Sequence, residues 1–91
     1  MTTKITYSRL FEKQIEKIPK SLQRKVWLWV FAVELRGLEE ALKLKAYRNE
    51  ALKGKRKGQF SIRLNRAYRL IYEIREKAIH IHILEVHKHE Y

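Results

Sequence analysis

From Phe60 onward the chain alternates apolar and polar residues in three successive runs, and a period of two restricts this half to a sheet with one covered face. Phe60, Ile62 and Leu64 alternate with Ser61, Arg63 and Asn65. Tyr68, Leu70, Tyr72 and Ile74 alternate with Arg69, Ile71 and Glu73, and Ile79, Ile81 and Ile83 alternate with His80 and His82. The links at Asn65–Arg66 and Arg75–Lys77 have hairpin length, so the runs predict an antiparallel meander. The phase slips at Ile83–Leu84, where the apolar set moves to Leu84 and Val86. A bulge there would turn Glu85, His87 and His89 toward the open face.

The first half has a different period. Lys4 to Tyr7 suits a short strand, and Thr6 or Ser8 can cap a helix running to about Ile18. Pro19 lacks an N–H and disfavours helix in the residue before it, so a second helix starts near Lys20; it ends at Gly37. Phe11, Ile15, Ile18, Leu22, Val26, Trp29 and Val33 are spaced by three or four, which gives both helices an inward stripe. Val26 to Val33 is apolar nearly all round. Either this helix is buried on two sides in a well-filled core, or its outer face, with Trp27 and Phe31, waits for a partner. Leu38 to Leu44 reads as a short third helix, Ala46 to Leu52 as an irregular lead, and Lys55-Arg56-Lys57 as a mobile loop between Gly54 and Gly58. The expected fold is α+β, an N-terminal strand and helical hairpin packed on a twisted, mainly antiparallel sheet in the order β-α-α-(α)-β-β-β. At 91 residues, positions 1–91 are expected to form one domain.

Charge narrows the partners. Twenty-one Lys and Arg against ten acidic residues leave a net charge of +11, which predicts an acidic partner such as nucleic acid. Seven of those basic residues lie between Lys53 and Arg69 with no acid among them, so a positive field is fixed on the meander. An apolar fraction of 45% argues against disorder. The absence of cysteine removes disulfide and thiolate chemistry. No apolar run approaches the ~20 residues that span a bilayer, and the N-terminus lacks the apolar stretch of a signal peptide, so a cytoplasmic protein is expected.

All ten acidic residues are Glu, and the basic segment contains none. Any phosphodiester chemistry there is therefore expected to be metal-free and without a cofactor, with cations in the role of the metal. Such a cleavage needs a base, an acid and cations for the phosphorane. Histidine suits the first two roles because its ordinary pKa is near 6.5, and a positive field favours its neutral form. Arg63 and Arg69 can clamp phosphate bidentately; the plain alternative is a solvated strand residue paired with Glu73 or Glu85. His80, His82, His87 and His89 form two His-x-His pairs, but no Cys or Asp completes a zinc tetrahedron, and His80 and His82 read as ordinary strand residues.

Leu52-Lys53-Gly54, Gly58, Arg63, Tyr68-Arg69 and Ile71-Tyr72, with the His/Tyr tail, closely resemble the pattern of the RelE/ParE superfamily of bacterial type II toxins. The likeness is nearest to the RelE and HigB-like branch. That branch implies a ribosome-dependent mRNA interferase in which the 2′-OH attacks the adjacent phosphate. By position, Lys53 and Lys55 match phosphate-contacting loop residues, while Arg63 and Arg69 match the strand arginines that hold the scissile phosphate. Arg56, Lys57 and Arg66 join the RNA-binding set. His87, His89 and Tyr91 fall where relatives place proton-transfer groups. The resemblance also implies a cognate antitoxin, covering the basic sheet with an acidic segment, and a toxin–antitoxin assembly that binds operator DNA through the antitoxin. Two other readings stay open: a non-enzymatic gyrase inhibitor of the ParE branch, and an RNA-binding module without catalysis. Against the module, Phe60, Tyr68 and Tyr72 point inward by their alternation, whereas single-strand binders display aromatics outward.

Overall fold

A computed structural model describes residues 3–44 and 47–88 of the chain. It contains β1 (Lys4–Tyr7), α1 (Arg9–Ile15), α2 (Lys20–Arg36), α3 (Leu38–Ala41), β2 (Arg48–Ala51), β3 (Gln59–Arg63), β4 (Tyr68–Arg75) and β5 (His80–Lys88). The strands form one sheet in the order β1-β5-β4-β3-β2, antiparallel except where β1 runs parallel to β5. The expected α+β class and the three-strand meander are both present. No helix among the described residues is long and apolar enough to cross a membrane.

Local chemistry explains the boundaries. Ser8 caps α1, its Oγ accepting from the Phe11 N–H at 3.0 Å. The helix stops at Ile15 rather than Ile18, because Lys17 turns back to bond the Gln14 carbonyl and Pro19 follows. The Pro19 carbonyl then accepts from Leu22 and Gln23 to open α2. Gly37 closes it with φ +86°, a left-handed value that a side chain would resist, and its N–H bonds the Val33 carbonyl at 2.8 Å.

Four expectations change. α3 is a single turn ending at Ala41, short of Leu44. The segment read as irregular before the basic loop contains an edge strand, β2, paired to β3 through Arg48↔Arg63 and Glu50↔Ser61. The loop itself is ordered into a 3₁₀ turn over Gly54–Arg56. β3 ends at Arg63, because the Asn65 carboxamide oxygen accepts from the N–H groups of Ala67 and Tyr68 and makes a turn of its own.

The bulge lies where the phase slips. Ile71 faces Glu85 but Tyr72 faces Ile83, which leaves Leu84 as the extra residue. Its consequence differs in one detail from expectation: Val86 joins Ile81 and Ile83 in the core, and Leu84 does not. The disturbed backbone is satisfied by α1 and its cap. Ser8 Oγ donates to the Leu84 carbonyl at 2.5 Å, and Gln14 Oε1 accepts from the Val86 N–H at 2.8 Å.

The core lies between the helices and one face of the sheet. Trp29 of α2 meets Tyr72 of β4 with ring centroids 5.2 Å apart, surrounded by buried Val26, Val33, Ile62, Leu70 and Ile81. Burial pushes the Tyr72 phenol far above its ordinary pKa, so it stays a neutral donor to Asn49 Oδ1 at 2.6 Å. The outer face of α2 is uncovered, which settles the alternative left open for Trp27 and Phe31: both are exposed.

Candidate functional site

The strand register builds the site as a grid on the sheet face turned away from the helices. Directly opposed residues share a face, and Arg48↔Arg63, Arg63↔Arg69 and Arg69↔His87 are directly opposed across four strands. Three guanidinium-bearing residues and an imidazole therefore stand in one row, roughly 14 Å from end to end at the usual strand spacing. The next row, two residues along, is Glu50, Ser61, Ile71 and Glu85. Buried Ile71 floors it. A depression between these rows is lined by Glu50, Arg56, Ser61, Arg69, Ile71 and His87.

Arg69 is an enclosed cation of the grid, its side chain 12% exposed. It donates to Ser61 Oγ at 3.5 Å and lies 3.7 Å from a Glu50 carboxylate oxygen, so both contacts are loose. Arg63 has a buried Nε with no hydrogen-bond partner. Two neighbouring arginines with unspent donors form a site that an anion completes.

Glu85 holds the other side. Its Oε2 accepts from Arg56 Nη2 at 2.6 Å, and its Oε1 lies 3.2 Å from His87 Nε2. His87 Nδ1 sits 3.0 Å from the Lys88 carbonyl oxygen. A carboxylate and a carbonyl only accept, so both contacts become hydrogen bonds when both ring nitrogens carry hydrogen. The two ring nitrogens of His87 thus each face an acceptor, Glu85 on one side and the Lys88 carbonyl on the other.

The structure brings together Arg56, Arg63, Arg69 and His87 from the residues expected at the site. Lys53, Lys55 and Lys57 are exposed around the 3₁₀ turn, and their ammonium groups make no ion pair among the described residues. Arg66 stands in the exposed β3–β4 turn and does not line the depression. His89 and Tyr91 lie outside the described residues. The pairing of Arg63 or Arg69 with Glu73 or Glu85, the plain alternative to a phosphate clamp, does not form: Glu73 pairs with Arg75, Glu85 with Arg56, and Arg69 faces Glu50.

The basic segment lacks carboxylates along the chain but not in space. Glu50 and Glu85 arrive from β2 and β5. Glu50 and Arg48 escaped sequence reasoning because β2, with the sequence RNEA, has no apolar alternation to reveal a strand. Farther along the same face, Thr6 Oγ1 lies 2.6 Å from both His80 Nε2 and His82 Nδ1. Burial lowers the His82 pKa, and the nearby Arg75 lowers it further. Among the described residues no three of His, Asp and Glu converge as a metal site would require.

A family model described as the RelE-like toxin HigB of type II toxin–antitoxin systems matches residues 4–87. No curated protein matches the chain. Among solved structures, a YoeB/ParE toxin from Agrobacterium tumefaciens superposes with a TM-score of 0.76 at 14% identity, covering 97% of this chain and 100% of that one. RelE in the archaeal RelE–RelB complex of Pyrococcus horikoshii gives 0.72 at 21% identity, covering 97% and 96%. YoeB in the YoeB–YefM complex of Staphylococcus aureus gives 0.71 at 24% identity, covering both chains entirely. At these identities the superpositions speak for the fold, while the family model spans nearly the whole chain, meander and basic face included. The chain belongs to the HigB-like family of RelE-like toxins, within the RelE/ParE superfamily of type II toxin–antitoxin systems.

Proposed function

We propose that this toxin is a ribosome-dependent mRNA endonuclease that cuts by attack of a 2′-OH on the adjacent phosphate. The observation that carries the reading is the row Arg48, Arg63, Arg69 and His87, of which Arg69 and His87 line one depression together with Arg56. In the proposed step the 2′-oxygen bonds to phosphorus as the bond to the 5′-oxygen breaks. Arg69 and Arg63 neutralise the non-bridging oxygens of the phosphorane. His87, whose ring nitrogens face Glu85 and the Lys88 carbonyl in the free protein, is the group proposed to protonate the leaving 5′-oxygen, giving up one of those contacts to do so. The 2′-OH proton goes to a general base, for which Glu50, His89 and Tyr91 are the proposed groups. Lys53, Lys55, Arg56, Lys57 and Arg66 draw the RNA backbone toward the sheet. The arginines supply the charge that a metal would otherwise supply, so no step calls for one.

The neighbouring RelE–RelB and YoeB–YefM structures are complexes of those toxins with partner proteins. By analogy, a cognate antitoxin binds this chain, covers the basic sheet with an acidic segment and carries the assembly to operator DNA. Work on mRNA and ribosomes places the protein in the cytoplasm.

The test is to add purified protein to translating ribosomes and map the new mRNA ends. The proposal expects 2′,3′-cyclic or 3′-phosphate ends that persist when divalent ions are held at the ribosome's own requirement. Recovery of 3′-hydroxyl ends would refute the mechanism. DNA breaks without mRNA cleavage would favour the gyrase-inhibitor reading, and ribosome binding without cleavage the RNA-binding module.

A further inference from the structure

The helix layer has an outer face with no cover in the chain itself. At about 100° of turn per residue, Lys20, Arg24, Trp27, Leu28, Phe31, Glu34 and Leu35 all fall within about 60° of Phe31 around α2. The four apolar members are 42%, 64%, 59% and 64% exposed in that order. Single exposed apolar residues need no explanation, but four on one face make a patch of roughly 400 Å², as large as the main patch of a typical monomer.

The spacing says what shape fits. Arg24, Leu28, Phe31 and Leu35 follow a four-three-four spacing, which is the seam of two heptads. Arg24, Trp27, Leu28 and Phe31 line a shallow apolar depression. Those positions are i, i+3, i+4 and i+7, the four that form the hole for a knob from a facing helix.

Charge says which helix supplies the knob. This face carries Lys20 and Arg24 at its start and Glu34 at its end, so it is of mixed sign along its length. An acidic partner gains little here. A second copy laid antiparallel sets the Lys20 and Arg24 end of one helix against the Glu34 end of the other, and it also opposes the helix dipoles. A two-fold axis midway between Leu28 and Phe31 drops each Phe31 into the hole of the opposite helix, the self-complementarity that an isologous contact requires.

We propose that α2 is a self-association surface on which two copies pair antiparallel, Phe31 of each entering the Arg24–Trp27–Leu28–Phe31 hole of the other. The surface is on the helix side of the molecule, so its test does not depend on the proposed cleavage.

The experiment is sedimentation equilibrium of the purified chain up to about 100 μM, a range suited to a modest interface of about 1,000 Å² in total. Wild type should move from monomer to dimer. Phe31→Lys should weaken association by about 30-fold or more, as expected for a central aromatic anchor. Its melting temperature and circular dichroism should match wild type, because Phe31 is exposed. Arg24→Glu should weaken association, and the double exchange Arg24→Glu with Glu34→Arg should restore it. A wild type that stays monomeric, or a dimer that survives Phe31→Lys, overturns the proposal. Failure of the double exchange to rescue overturns the antiparallel register.

Discussion

Replacing Arg69 by Ala separates what the basic row does for folding from what it does for the reaction. Its guanidinium lies 3.7 Å from Glu50, whose side chain is 44% exposed, so that pair contributes about 0–1 kcal/mol. On the other side Arg69 stands directly opposite Arg63, a like-charge cross-strand pair that costs roughly 0.2–1 kcal/mol. The two effects oppose each other, and the core beneath the strand, Leu70 and Tyr72 included, is untouched. Stability should therefore change by less than about 1 kcal/mol, a melting shift of a few degrees for a domain of this size. On the proposed mechanism the phosphorane loses an enclosed cation, which should cost about 3 kcal/mol, or at least a hundredfold in cleavage rate. Arg69→Lys should recover little, since an ammonium cannot reproduce the two-donor fork. The assays are thermal melting of the purified variant and single-turnover cleavage on programmed ribosomes. Full activity in the Ala variant would reduce Arg69 to a surface residue. A melting drop above about 10 °C would mean that the guanidinium holds the sheet together, against the balance worked out above.

Glu85→Gln removes the negative charge between Arg56 and His87 and leaves one acceptor oxygen where there were two, so RNA affinity should rise while single-turnover cleavage falls about 10- to 100-fold, a split readable by measuring both on the same ribosomes. Deleting Leu84 removes the extra residue and leaves Ile83 opposite Tyr72 and Glu85 opposite Ile71, a regular ladder in which Val86 and His87 keep their faces. Only the Ser8 bond to the Leu84 carbonyl is lost, so circular dichroism should report a folded chain that melts a few degrees lower, by about 1 kcal/mol, and a chain that fails to fold would show that the bulge is needed. His82 has a lowered folded pKa, so the unfolded chain takes up its proton first: stability should be full above the ordinary histidine value of 6.5 and fall as pH drops from there toward the folded value. His82→Asn should flatten that part of the profile in thermal melts; an unchanged slope would show that another group carries it.

Much of this fold could be read from local chemistry, because Pro19, Gly37 and the period-two runs are signals that act within a few residues. Even the bulge could be read, since the apolar phase of a strand cannot slip without an extra residue. β2 could not: Arg48 to Ala51 owes its strand geometry to pairing with β3, a contact made across the basic loop. With β2 unseen, Glu50 could not be placed beside Arg69, nor Arg48 in the row with Arg63. The site's cations were legible, and the carboxylates that balance them were not. Ion-pair choice depends on distances between strands that alternation alone does not encode, so Glu85 could be assigned to the open face but not to Arg56.

The grid has a further physical consequence. Rows of like charge repel, and three strands hold Arg48, Arg63 and Arg69 in register because the opposite face of β3 and β4 is buried in the core. The core thus supports a surface arrangement that does not stabilise itself. In the free protein the nearest counter-charges are Glu50 at 3.7 Å from Arg69 and Glu85 at 2.6 Å from Arg56. Inorganic phosphate entering the depression offers four oxygens where each carboxylate offers two, so it can bond neighbouring guanidinium groups together. Polyanion binding should then relieve the repulsion and stabilise the fold by linkage. A melting temperature that rises with inorganic phosphate in wild type, and much less in the Arg69→Ala variant, is the expected signature. An equal rise in both would place phosphate elsewhere on the molecule.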